Sequence, residues 1–142
     1  MAKISIIQGP NLNLLGMREP ELYGRATLQE IHDGLQKAFG QDHQLEFFQS
    51  NHEGAIIDAI HKVMNQDGLV INPGAYTHTS YAIRDAIATI QKPAIEIHLT
   101  AIYAREAFRQ ESLIAPVCIG QLSGFGAYGY TLAMQALLQH LA

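Results

Sequence analysis

Five short apolar runs punctuate the chain: Ile4–Ile7, Leu45–Phe48, Leu69–Ile71, Ala94–Leu99 and Val117–Leu122. Each is bounded by turn-forming residues, as strands covered on both faces are. Between them apolar residues recur at helical spacing. Leu28, Ile31, Leu35 and Phe39 do so in Thr27–Phe39, and Ile56, Ile57, Ile60 and Met64 in Glu53–Met64. Ile83, Ile87 and Ile90 repeat the pattern in Ser80–Ile90, as do Leu132, Leu137, Leu138 and Leu141 in Phe125–Leu141. Strands alternating with helices of this length predict an α/β fold, a flavodoxin-like doubly wound sandwich with a five-stranded parallel sheet. Residues 100–116 stand outside the alternation and read as a short helix plus loop beginning near Ala104. Ligands of such sheets bind outside the carboxyl ends of the strands. Here the residues just past the first, third and fourth runs are Gly9-Pro10-Asn11, Asn72-Pro73-Gly74 and His98-Leu99-Thr100, all far more polar than the runs feeding them.

A chain of 142 residues, 48% hydrophobic, fits one domain over 1–142 with one compact core. Its formal charge of -4, with no basic run, gives no reason to expect a nucleic-acid partner. Cys118 is the single cysteine, so no intrachain disulfide can form, and it reads as a small buried hydrophobe. No stretch approaches a membrane span and no basic leader opens the chain, so no membrane partner is expected and a cytoplasmic location follows.

The longest connection, residues 9–24, is too rich in glycine, proline and polar groups to be core, and carries Asn11, Arg18 and Tyr23. Loops of that length are usually lids or binding loops. A tyrosine hydroxyl ordinarily ionises near pH 10, so a base role at neutral pH needs a positive neighbour: Arg18, with Arg105 or Arg109 as a second. Tyr23 fits equally well as the residue closing a Tyr-Gly turn. In Ala94-Ile95-Glu96-Ile97-His98, strand periodicity puts Glu96 and His98 on one face, where a carboxylate can hold one imidazole nitrogen and leave the other free for acid catalysis. The plainer alternative is two polar residues on an edge strand. Residues 72–80 lead into a helix that Thr77 or Thr79 could cap, making a site for carboxylates or hydroxyls with His78 as donor, or simply a capped turn with a surface histidine.

Other motifs carry less. Gly124-Phe125-Gly126-Ala127-Tyr128-Gly129 matches G-x-G-x-x-G, but the acidic residue that a dinucleotide site needs about 20 positions on has no counterpart in the 13 residues after Gly129. Close packing or a tight turn explains these glycines. The seven histidines include no His-Glu-x-x-His and have no cysteine pair beside them, so no metal is expected. His32, His43, His61 and His140 read as surface, His52 as a helix cap. None of Lys3, Lys37, Lys62 and Lys92 sits where a Schiff-base lysine would. A non-catalytic module binding a small anion or nucleotide at the strand ends remains a rival reading, and a metal-assisted hydrolase a weaker one.

The segments Gly-Pro-Asn-Leu-Asn-Leu-Leu-Gly at 9–16, Arg-Glu-Pro with Tyr-Gly at 18–24, Gln-Ser-Asn-His-Glu-Gly at 49–54, Asn-Pro-Gly-Ala-Tyr-Thr-His-Thr-Ser at 72–80 and Gly-Phe-Gly-Ala-Tyr-Gly at 124–129 closely resemble type II 3-dehydroquinate dehydratase. The resemblance spans nearly the whole chain. It implies reversible dehydration of 3-dehydroquinate to 3-dehydroshikimate, in the shikimate pathway or quinate catabolism, without metal, cofactor or imine. By the resemblance Tyr23 is the base that removes the C2 proton, Arg18 keeps its phenolate available, Asn11 holds a water at the enolate oxygen, and His98, oriented by Glu96, protonates the departing C1 hydroxyl. Asn72, His78, Asp85, Leu99, Thr100 and Arg109 would hold the substrate, with Arg105 and Gly74 in support. The family also implies a homododecamer of four trimers, in which Asp85 reaches a neighbour's site. Thr100, Ala101 and Tyr103 depart from the Ser, Asn and His common in the family.

Overall fold

The computed structural model describes all 142 residues. Five parallel strands form one sheet in the order β2-β1-β3-β4-β5: β1 (Lys3–Gln8), β2 (Gln44–Gln49), β3 (Gly68–Asn72), β4 (Ala94–His98) and β5 (Gly120–Ser123). Five α-helices connect and cover them: α1 (Pro20–Tyr23), α2 (Leu28–Phe39), α3 (Glu53–Lys62), α4 (Tyr81–Ile90) and α5 (Tyr128–Leu141). The chain reverses its winding at β1, so helices cover both faces.

Strand alternation divides the core in two. Ile4 and Ile6, Val70, and Ile95 and Ile97 point toward α2 and α5, where they meet Ile31, Leu35, Tyr130, Ala133, Met134 and Leu137. Ile7, Leu69, Ile71 and Ala94 point the other way, onto Ile56 and Ile60 of α3 and Ile83, Ile87 and Ile90 of α4. Full burial of each such side chain contributes about 1.5–3 kcal/mol, which is why the helical spacing was so legible. In α5 the packing falls on other residues than the leucine spacing indicates: Leu137 is buried, but Leu132 and Leu138 are only half-buried and Leu141 is exposed, while Tyr130, Ala133 and Met134 fill the seam.

Local chemistry sets the boundaries. Thr27 and Glu30 form a capping box at α2. At α4 the cap is Ser80, whose hydroxyl accepts from Ile83 N–H at 2.9 Å, not Thr77 or Thr79; Thr77 is drawn inside instead. His52 occupies the N-cap position of α3 without a side-chain cap bond. Gly129 lets α5 lie close on β4, since a Cβ there would sit 2.9 Å from Ile97 Cδ1, and the preceding Gly124 and Gly126 turn the chain at positive φ. Residues 100–116 contain no α-helix: three 3-10 turns, Ile102–Ala104, Ala107–Arg109 and Ala115–Val117, carry them across the sheet edge. Val117 therefore lies in a turn, and β5 begins only at Gly120.

Candidate functional site

At the carboxyl ends of β1, β3 and β4 lies a cavity of about 190 Å³. Its walls include Asn11, Arg18, Tyr23, Asn72, Gly74, His78, His98, Leu99, Thr100, Arg105 and Arg109. Candidates from four separate segments therefore converge, and no aspartate or glutamate joins them on the wall. Three arginines around a small polar cavity suit an oxygen-rich anion.

The His98 wall is built into the sheet. β4 lies between β3 and β5, not at an edge. Glu96 and His98 share the face opposite Ile95 and Ile97, and both are buried. A lone buried carboxylate would be costly, and Glu96 is not alone. One oxygen contacts His98 Nε2; the other accepts from Ser112 Oγ at 2.7 Å. That serine oxygen also accepts from the N–H groups of Ile114 and Ala115, at 3.1 and 3.0 Å. Thr77, fully buried, lies 3.3 Å from the same Nε2. His98 Nδ1 is thus the nitrogen left for chemistry. Local sequence offers Thr77 only as a helix cap and gives Ser112 no role, because their partners lie 21 and 16 residues away.

The Tyr23 wall is made of loop. Tyr23 ends α1, half-buried, with the Arg18 guanidinium 4.7 Å from its ring centroid and that of Arg105 at 5.3 Å. It is Arg105, not Arg18, that donates to the Tyr23 hydroxyl, at 3.0 Å from Nη1. The same nitrogen lies 3.4 Å from Thr100 Oγ1, so the threonine hydroxyl helps to aim it. Arg105 therefore has a more direct place than the supporting one expected of it. Arg18 acts through the ring and pairs loosely with Glu19, at 3.9 Å.

The floor between these walls comes from the first and third loops. Asn11 adopts a left-handed conformation, φ 69°, and its N–H donates to Asn51 Oδ1 at 2.9 Å. Gln49 ties the same place down by donating to Gly9 O and Asn51 Oδ1. Gly9 is required by close approach: a Cβ would fall 2.3 Å from the Pro73 carbonyl oxygen. Gly74, on the wall, donates its N–H to Asn72 Oδ1 at 3.1 Å.

The remaining site residues add contacts that no local pattern announces. His78 Nδ1 lies 2.7 Å from the Glu111 carbonyl, which can only accept; in the neutral ring, Nε2 then faces a ligand as acceptor, not donor. Arg109 lines the cavity but also binds Glu106 at 2.7 Å, which holds that carboxyl below the usual glutamate range. Asp85 is exposed on α4 and outside the cavity of its own chain. Elsewhere, Cys118 is half-buried behind Glu96, and burial, reinforced by the Glu96 charge, pushes its thiol up to about 12. His32 and His43 are not free surface groups: His32 stacks on Phe47 at 4.4 Å, and His43 Nδ1 accepts from Ala2 N–H.

A doubly wound α/β sheet with a cationic cavity at its switch point defines an α/β protein whose candidate site suits a small anion. The family model described as Dehydroquinase class II matches residues 2–138, and the chain belongs to that family and is a hydro-lyase. It is 54% identical over 143 residues to a 3-dehydroquinate dehydratase of Bacillus cereus (strain AH820), covering 99% of this chain and 98% of that protein. With the corresponding protein of Exiguobacterium sp. it shares 51% over 138 residues, 97% of this chain and 95% of the other. The crystal structure of type II dehydroquinase from Butyrivibrio crossotus DSM 2876 superposes with a TM-score of 0.94 at 45% identity, covering 96% of this chain and 97% of that one. That of Propionibacterium acnes gives 0.93 at 34% identity, covering 98% and 97%. No helix is long and apolar enough to cross a membrane.

Proposed function

We propose that the chain, as one catalytic domain over 1–142, reversibly eliminates water from 3-dehydroquinate to give 3-dehydroshikimate. Tyr23, as phenolate, takes the C2 proton; the C–H electron pair passes into an enolate whose oxygen is met by a water held at Asn11. The enolate then expels the C1 hydroxyl, which leaves as water with a proton from His98. Glu96 balances the imidazolium before that transfer. Arg109 and the backbone amides at Leu99 and Thr100 serve the carboxylate and hydroxyls, and Asn72 and His78 also hold the substrate. No cofactor takes part in this scheme.

The observation that carries the reading is a phenol flanked by two guanidinium groups on the same small cavity as a carboxylate-held imidazole. Tyrosine as base needs the first arrangement, and histidine as acid the second. Incubation of the protein with 3-dehydroquinate is expected to develop the enone absorbance of the product; its absence would overturn the reading. The same reading places the reaction in the shikimate pathway or quinate catabolism, in the cytoplasm. It groups the chains as a homododecamer of four trimers with Asp85 reaching a neighbour's cavity. Sedimentation at twelve times the 15.6 kDa chain mass is the check on that assembly.

A further inference from the structure

One polar system reaches Asn72 through two groups, Gln8 and Tyr130, that have no part in the scheme above. Gln8 and Asn72 end neighbouring strands, opposite each other in register. Both side chains fall on the α2/α5 face, and both are buried. Between them stands the hydroxyl of Tyr130, in the first turn of α5, itself 1% exposed. It donates to Gln8 Oε1 at 2.6 Å and accepts from Asn72 Nδ2 at 3.0 Å. Gln8 Nε2 closes on His32 Nε2 at 3.4 Å.

The direction of this chain is determined by what each group can do. Burial lowers the His32 pKa, favouring the neutral ring, whose Nε2 can accept from the Gln8 amide. Gln8 Oε1 then faces Tyr130, and burial pushes that phenol up to about 12, so it keeps its proton and donates. Its lone pair is left for the Asn72 amide. Asn72 Oδ1 is engaged by Gly74 N–H. An asparagine turned over would set two donors against each other at Gly74 and lose its donor to the phenol.

We infer that Tyr130, held by Gln8, is a positioning residue that locks the Asn72 amide in one orientation, so that the N–H left over on Nδ2 binds an acceptor oxygen of the substrate. This rests on the reading of Asn72 as a substrate ligand. It also explains why so large a polar side chain occupies a helix seam otherwise filled by Ala133, Met134 and Leu137.

The test is a double-mutant cycle of Tyr130→Phe and Asn72→Ala, with 3-dehydroquinate as substrate. Tyr130→Phe is expected to raise KM about tenfold, the worth of one buried hydrogen bond, with kcat little changed. On the Asn72→Ala background it should add little. An equal KM effect on both backgrounds, or no effect on the parent, would overturn the inference. Exchange of the Asn72 side-chain amide protons, followed by NMR, gives a readout independent of turnover. It should be slow in the parent and clearly faster in Tyr130→Phe, and equal rates would overturn the inference. If the parent fails to convert 3-dehydroquinate, the proposed reaction falls, while the exchange rates still decide the orientation. Should Tyr130→Phe fold poorly with Gln8 Oε1 orphaned, Gln8→Leu/Tyr130→Phe removes both partners and serves in both arms.

Discussion

The two walls of the cavity are made differently. His98 stands on an interior strand, over a carboxylate whose two oxygens are both engaged, and its imidazole is aimed by Glu96 and Thr77. Tyr23 ends a four-residue helix in a long loop, half-buried, and its hydroxyl contacts the protein through the single Arg105 bond. His98 is placed by the fold itself, and Tyr23 by two arginines. The acid proposed at His98 benefits from a rigid setting in which its carboxylate partner stays engaged. A base that must admit substrate benefits from a wall that can move.

That contrast can be broken most sharply by removing each reacting group. Tyr23→Phe should cost about 10²–10⁴ in kcat, the usual worth of general acid–base catalysis, and leave the melting temperature unchanged. His98→Ala should cost as much in rate but also about 3 kcal/mol in stability, because it strips the partner from a buried carboxylate. Denaturant melts of the two variants side by side decide it; equal stability losses would erase the distinction between the walls.

Arg105 sharpens it next. Arg105→Ala should lower kcat about 10–100-fold, since a hydrogen bond to an ionised group contributes about 1.5–3 kcal/mol. Arg18→Ala should cost less, as it touches only the ring. Steady-state kinetics of the pair give the order, and the reverse order would return the activating role to Arg18.

On the sheet side, Ser112→Ala should destabilise by about 1–3 kcal/mol and slow turnover several-fold through a misplaced Glu96. Thermal melts and kinetics are the measures. A variant with unchanged stability would show that Glu96 is held by His98 alone.

The smallest effect is in pH. Cys118 and Tyr130, whose protons are held in the fold up to about 12, release them near 9 and 10 once unfolded. Between those values the folded state binds more protons, so stability should fall as pH rises above about 9 and be fully present below it. Urea midpoints from pH 7 to 10.5 would show the decline, and Cys118→Ala should remove the part of it that begins near 9.

Much of this was legible in one dimension. Ile31 and Leu35, Ile56 and Ile60, and Ile83 and Ile87 announce helices because each must bury one stripe, and period-two alternation in Ala94–His98 by itself puts Glu96 and His98 on one face. Local rules failed where a side chain had a choice of partners. Thr77 is as good a cap as Ser80 by type, yet it turns inward to His98. Arg105 lies 82 residues from Tyr23, and no spacing rule reaches that far.

The sequence by itself therefore determined the order of strands and helices and the polar loops at their ends, because backbone periodicity and burial act within a few residues. The tertiary structure alone decided which arginine meets the Tyr23 hydroxyl, which hydroxyls hold Glu96 and His98, and which way the Asn72 amide points. Those are directional contacts between segments distant in the chain, and their geometry exists only once both cores have closed on the sheet.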